Sequence, residues 1–227
     1  MIQDGRTRLV GVWDWPVRFS HWAIVLLLPA AWYTAGDITL FRWHQAIGIT
    51  LIGVLIFRVG WGIFGSETAR FSRFVRGPVT VWAYLCGRVS AGPGHSPLAA
   101  LSVLALFGVL MLQAVSGLFS SDDIFNSGPL AGEVSREARR WWTRLHHGNF
   151  DVLLGLIALH LAAVAFYEFV RRRRLVGPML HGKKTAQALE LDAGSQVPPR
   201  LRRPWWGAVW ALIVAVPTVW IVVELSF

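Results

Sequence analysis

Cysteine is almost missing from this chain: Cys86 stands alone among 227 residues. No internal disulfide can form. With no Cys-x-x-Cys-His run, thioether attachment of a haem is excluded too. Charge is also scarce, at 15% of residues, where a soluble domain carries about a quarter. Acids are the scarcer sign, 13 Asp and Glu against 22 Lys and Arg, which leaves a formal charge of +9. Gly-x-Ser-x-Gly, P-loop and Gly-x-Gly-x-x-Gly patterns are absent, as is any zinc-type Cys/His spacing. A hydrolase, an ATPase or a nicotinamide-binding module therefore finds no support.

What is present is apolar. Hydrophobic residues make up 54% of the chain, and 13 are Trp. Five runs of bilayer length, 17–35, 42–64, 97–119, 142–170 and 205–225, predict an all-α membrane protein: a four-helix bundle plus a fifth, C-terminal transmembrane helix. Turn residues separate the runs: Gly36-Asp37, Gly77-Pro78, Gly92-Pro93 and Gly128-Pro129. The first run is not a cleavable signal peptide, because a long polar lead precedes it and no small-residue cleavage site follows before Asp37. No internal repeat stands out. Residues 10–182 read as the bundle, 183–204 as a cytoplasmic linker and 205–227 as a semi-independent last helix.

The basic residues sit beside helix ends, which makes them a topology signal and not a nucleic-acid surface. Arg70, Arg73, Arg76 and Arg88 follow the second run, and Arg171 to Arg174 with Lys183 and Lys184 follow the fourth. After the third run Asp122, Asp123, Glu133 and Glu137 are mixed with Arg136, Arg139, Arg140 and Arg144. The positive-inside rule then puts the N-terminus in the cytoplasm. Trp13, Trp15, Trp22, Trp43, Trp61, Trp141, Trp142, Trp205 and Trp206 fall near run ends, where an aromatic belt is expected.

Four of seven histidines, His21, His44, His146 and His160, lie within predicted spans. Ionisable groups in lipid are costly and usually functional. His146 and His160 are 14 residues apart, roughly 21 Å along a helix and within roughly 40° of one direction. One ion cannot span that distance, so the two serve different sites on one helix face. His147 points about 140° away from His160 and is the poorer ligand, facing a loop or solvent. By direction of travel His21 matches the depth of His160, and His44 that of His146. Two bis-His sites inside a helix bundle is a haem arrangement, whereas a dinuclear metal site clusters its ligands at one depth.

Other polar residues carry two readings each. Arg58, 14 residues after His44, needs an anionic partner; a haem propionate would serve, and a structural role is the other reading. Arg18, three residues before His21, would meet a propionate or reach lipid phosphate. Gly48 and Gly155 would admit a flat macrocycle or serve helix packing. Gln113 and Ser116 would bond a haem edge or a neighbouring helix. His95 is a turn residue or a proton gate. Asp14 and Pro16 read as the N-cap and first turn of the first helix, fixing the height of His21.

The stretches VWDWPVRFSHW, RWHQAIG, FRVGWGIFGSETARFSRFVRGP, GHSPL, GLFSSDD, GPLAG, LHHGNFDVLLGLIALH and MLHGKK run in order over most of residues 10–185. Together they resemble the bacterial cytochrome b561 family, which includes the b-type cytochrome subunits of nickel–iron hydrogenases. The resemblance implies a four-helix bundle holding two haem b, with His21, His44, His146 and His160 as iron ligands. It also implies a place in the bacterial inner membrane and in a respiratory chain, moving electrons between the quinone pool and a periplasmic partner, either a c-type cytochrome or a hydrogenase. On that reading the chain is an electron-transfer subunit rather than a self-standing oxidoreductase. The alternative, which some short relatives suggest, is a superoxide:quinone oxidoreductase. The fifth helix departs from the short members, and His147 stands where Glu is expected in many relatives.

Overall fold

The structure is a computed structural model that describes residues 8–75, 77–88, 96–188 and 199–226. His95, Arg76 and the Gly92-Pro93 pair lie outside the described residues. Eight α-helices lie within them: α1 (Trp15–Ala35), α2 (Phe41–Phe64), α3 (Phe71–Phe74), α4 (Pro78–Leu85), α5 (Pro97–Phe119), α6 (Arg136–Ala165), α7 (Val176–His181) and α8 (Pro204–Ser226). Two short strands, β1 (Leu9–Gly11) and β2 (Lys183–Thr185), pair antiparallel with Gly11 opposite Lys183.

Residues Ile38–Phe64, Pro97–Phe119, Arg136–Val170 and Trp205–Glu224 are long and apolar enough to cross a bilayer. With 21 residues, α1 is also of bilayer length, but Arg18, Ser20, His21 and Thr34 dilute its apolar run. Helix α6 starts six residues before the predicted run. Ser135 accepts the Ala138 N–H at 3.2 Å, and a polar turn precedes the apolar stretch. Its last turn widens to a π-helix over Phe166–Val170. The Gly77-Pro78 pair, read as a turn, is a helix start instead: Gly77 is extended at the N-cap of α4 and Pro78 takes N1, where its missing N–H is harmless.

The chain forms two compact units. One holds residues 1–19, 58–104 and 159–208; the other holds 20–57, 105–158 and 209–227. In the first, Asp14 starts α1 as the sequence suggests. Its Oδ1 accepts the Val17 N–H at 3.1 Å, and its Oδ2 accepts the Trp61 indole N–H at 2.8 Å. Trp61 is 1% exposed and Trp13 is 8% exposed, so these two of the predicted belt residues are core. The buried Asp14 acceptor is what draws the Trp61 indole inward. Gly182 adopts φ +83° at the end of α7, and its carbonyl accepts the N–H groups of Val12 and Trp13 at 2.8 and 3.1 Å. A Cβ there would press on the Trp13 carbonyl. Before α8 the chain is stitched to the 66–67 turn: Glu67 N–H donates to Arg200 O, and Arg202 N–H donates to Ser66 Oγ.

Replacing Asp14 by Ala removes a cap and strands a buried indole N–H, so thermal unfolding in detergent should show a loss of about 2–4 kcal/mol. Asp14→Asn, which keeps the Oδ1 acceptor for Val17 N–H but turns an NH₂ donor toward the Trp61 indole N–H, should recover the cap and leave the indole part of the loss.

In the second unit, α1, α2, α5 and α6 converge on Leu55, Leu110 and Leu153, with Ile24, Leu28, Phe107 and Ile157 packed around them. Four helices thus share one apolar core in this unit. Helix α8 joins it through α2: the Trp210 indole donates to Phe57 O at 2.8 Å, and Gly53 lies against Thr218.

Candidate functional site

The second unit holds a cavity of about 540 Å³, within the usual range of cofactor sites, about 300–1,000 Å³. His44, Gly48, Gln113, Gly117, His146 and Phe150 are among its walls.

His44 stands in the first turn of α2. That helix is entered through a 3₁₀ turn whose cap, Asp37, accepts from the Thr39 N–H and hydroxyl at 2.8 and 2.7 Å. The Thr39 hydroxyl and amide hold the Asp37 carboxyl below its usual range. The His44 Nδ1–H donates to Ala31 O at 2.8 Å, and the ring stacks on Phe41 with centroids 5.9 Å apart. A protonated Nδ1 leaves the lone pair on Nε2, the ligating tautomer.

His146 comes from α6 and is held by α5. Its Nδ1–H donates to Gln113 O at 2.9 Å, with Ser116 Oγ at 3.1 Å. Gly117 allows this approach, since a Cβ there would come 3.0 Å from His146 Cε1. The two imidazoles face each other with centroids 6.3 Å apart and planes at 89°. His44 and His146 would be the residues to hold a haem iron in that space. Gly48 presents open space, with nothing within 4 Å of a built Cβ. The donor set, the shared tautomer and the cavity therefore fit a flat, bis-His-ligated macrocycle. Among the described residues no three His, Cys, Asp or Glu side chains group as an ion site; this is a facing pair.

The sequence of this chain belongs with such a pair. A sequence model of the prokaryotic cytochrome b561 family matches residues 12–182. The chain belongs to the prokaryotic cytochrome b561 family. It is thus a multi-pass membrane protein of a family of haem b-binding electron carriers. The matched span takes in α1 to α7 and stops before α8. No curated protein matches the chain.

The other sequence-predicted residues distribute as follows. His21 lies in the second unit, half-buried, with its ring edge-on to Trp22 at 5.1 Å. His160 lies in the first, half-buried on α6. His147 is exposed, as its helical phase predicts, yet it also reaches the cavity wall, 6.0 Å from the His146 ring. Arg18 donates from Nη1 to Leu180 O at 2.6 Å. Arg58 is buried, 3.4 Å from Ala69 O, with its guanidinium 5.4 Å from the Phe71 ring centre. Asp14 is a buried acid of the same unit. Gly155 is exposed on α6, with open space at its Cβ.

Gln113 and Ser116, left open between two readings, both turn to His146. Two further residues escaped sequence reasoning. Asn149 is 7% exposed and donates to Gln113 Oε1 at 2.7 Å and to Val109 O at 3.0 Å; its place one turn after His146 was the available signal. Asp151 is a carboxylate within the α6 span, exposed and four residues beyond His147; the rule that singled out the histidines applies to it equally.

A tight loop borders the cavity. Asp122 Oδ1 accepts the N–H groups of Ile124, Phe125 and Asn126, each at 2.9 Å, and Gln45 donates to Ser127 O at 2.7 Å. The Asn126 and Ile124 N–H groups hold the Asp122 carboxyl below its usual range. The loop therefore keeps this anchor from neutral pH downward and loses it only as pH falls through that lowered pKa.

Proposed function

We propose that this chain is a dihaem b-type cytochrome of the inner membrane, passing electrons between quinone and a periplasmic redox partner. The observation that carries the reading is the facing pair His44–His146, with both rings in the ligating tautomer across a cofactor-sized cavity. Haem, when bound, supplies a one-electron iron couple with no open position, which suits electron transfer. His44 and His146 are the ligands of one haem. His21 and His160 are assigned to the second from the 14-residue spacing of the sequence and its direction of travel. In this reading α1 is a fifth span alongside the four more apolar ones, and the N-terminus is cytoplasmic.

Arg18 and Arg58 are the cations assigned to propionates; here Arg18 donates to Leu180 O and Arg58 to Ala69 O. His147 on the cavity wall and Asp151 one turn further are the titratable groups that quinol protons would meet. The alternative activity, superoxide oxidation, needs a basic funnel to steer the anion. Asp123 lies 3.5 Å from Arg136 and 3.3 Å from Arg140, which offsets part of that charge.

Haemochrome assay with redox titration of the purified protein should give two haems per chain. One haem or none would overturn the dihaem reading. Haem reduction that requires an added c-type cytochrome or hydrogenase supports the carrier reading; rapid reduction by superoxide alone supports the other.

A further inference from the structure

The polar cluster behind His146 has a fixed direction. The main-chain carbonyl of Val109 can only accept, so the Asn149 atom 3.0 Å from it is Nδ2. The same Nδ2 stands 2.7 Å from Gln113 and donates its second hydrogen there, so that Gln113 atom is Oε1. Gln113 must then turn its NH₂ toward His146, and Nε2 indeed lies 3.3 Å from both ring nitrogens. Equal distances to the two nitrogens place the amide over the face of the ring rather than on one lone pair. Meanwhile Gln113 O and Ser116 Oγ lie within reach of the Nδ1–H, and Gly117 backs the ring edge. Gln113 is 9% exposed, Ser116 is fully buried and Asn149 is 7% exposed. Such groups are retained in an apolar bundle only when each is satisfied, and a satisfied network admits a single arrangement.

Resting on the assignment of His146 as a haem ligand, we propose that the Gln113 side chain and Asn149 are positioning residues that fix the plane of His146, whose tautomer the Gln113 main-chain carbonyl and Ser116 Oγ hold. Through that ring they set the potential and axial-ligand geometry of its haem. The amide N–H presented to the ring face withdraws electron density from the ligand, which favours the reduced state of a bound iron. The clamp also holds the ring at 89° to His44. His44 is held by the Ala31 O bond, which fixes its tautomer, and by the stacked Phe41 ring; without such side contacts an imidazole would rock about its Nδ1–H bond. The three-sided clamp removes this freedom from His146.

The test compares Gln113→Met, Asn149→Leu and Asn149→Asp in the full-length haem-loaded protein, with His146→Ala as reference. Outer-shell partners of metal-bound histidines typically change metal affinity about 10–100-fold. A tenfold change in relative affinity for the two iron states corresponds to about 59 mV for one electron. The expected result is a fall of at least that size in the potential of one haem, with the other unchanged. The low-spin ferric EPR signal of the same haem should move away from the form given by perpendicular ligand planes. Gln113→Glu, which keeps the length but replaces the donor by an acceptor, should lower the potential further than Gln113→Met.

If the three variants keep both haems with parental potential and EPR spectrum, the positioning role is wrong. If His146→Ala retains two haems with unchanged spectra, the ligand assignment is wrong instead. Should Asn149→Leu fail to fold, Gln113→Met and Asn149→Asp decide alone.

Discussion

Under the proposed dihaem assignment, replacing His44 or His146 by Ala should remove one and the same haem from the purified protein, leaving one haem per chain, while His147→Ala should leave two. The expectation follows from the 6.3 Å facing geometry and from the separate anchoring of each ring, His44 on Ala31 O and His146 on Gln113 O. Each variant would lose one of the two proposed iron ligands while the other ring keeps its own anchor, so neither loss should be rescued by rotation of the remaining ring. Loss of an iron ligand should exceed the roughly 10–100-fold effect of an outer-shell change. The His147 arm is the stricter one. That ring borders the same cavity and lies 6.0 Å from His146, but it is exposed and points away from the shared face. A haemochrome assay on the three variants checks the set. Loss of haem in His147→Ala, or two haems in His44→Ala, would overturn it.

Replacing Gly53 by Val drives α8 from α2. A Cβ at Gly53 would fall on the Thr218 hydroxyl and within 2.7 Å of its methyl. Helices in a bilayer have little hydrophobic drive to associate, so close approach at small residues carries much of their packing. Overpacking typically costs about 1–3 kcal/mol, and displacement of α8 would also strand the Trp210–Phe57 hydrogen bond. The expected outcome is a fall in the unfolding midpoint in detergent with haem content unchanged, because α8 contributes no histidine. Thr218→Gly, which removes the opposing side chain, should restore the midpoint when combined with Gly53→Val; a purely additive loss in that double mutant would show the contact to be unimportant.

The facing pair His44–His146 was legible as a candidate because an imidazole in a lipid-spanning run is expensive and its helical phase can be counted. The clamp behind His146 was not. Gln113 and Asn149 are uncharged, they lie 36 positions apart, and their pairing depends on how α5 and α6 meet. Asp14 was readable as a cap from its place before Pro16. Its second bond, to Trp61, reverses the belt reading of that Trp, since a Trp near a span end looks the same whether it faces lipid or a buried acceptor. Gly77-Pro78 shows the same ambiguity at the level of the backbone, because the two residues that make a good turn also make a good helix start.

Strands β1 and β2 bracket the family-matched span, with Gly11 pairing with Lys183 and residues 12–182 between them. This clasp cannot close until the ribosome has made all of that span, roughly ten to thirty seconds of synthesis at ordinary rates. During that interval Val12 and Trp13 lack the Gly182 carbonyl they bind in the finished protein. The clasp is therefore among the last events of biogenesis, and a nascent chain cut short anywhere before Gly182 would leave the N-terminal segment unfastened.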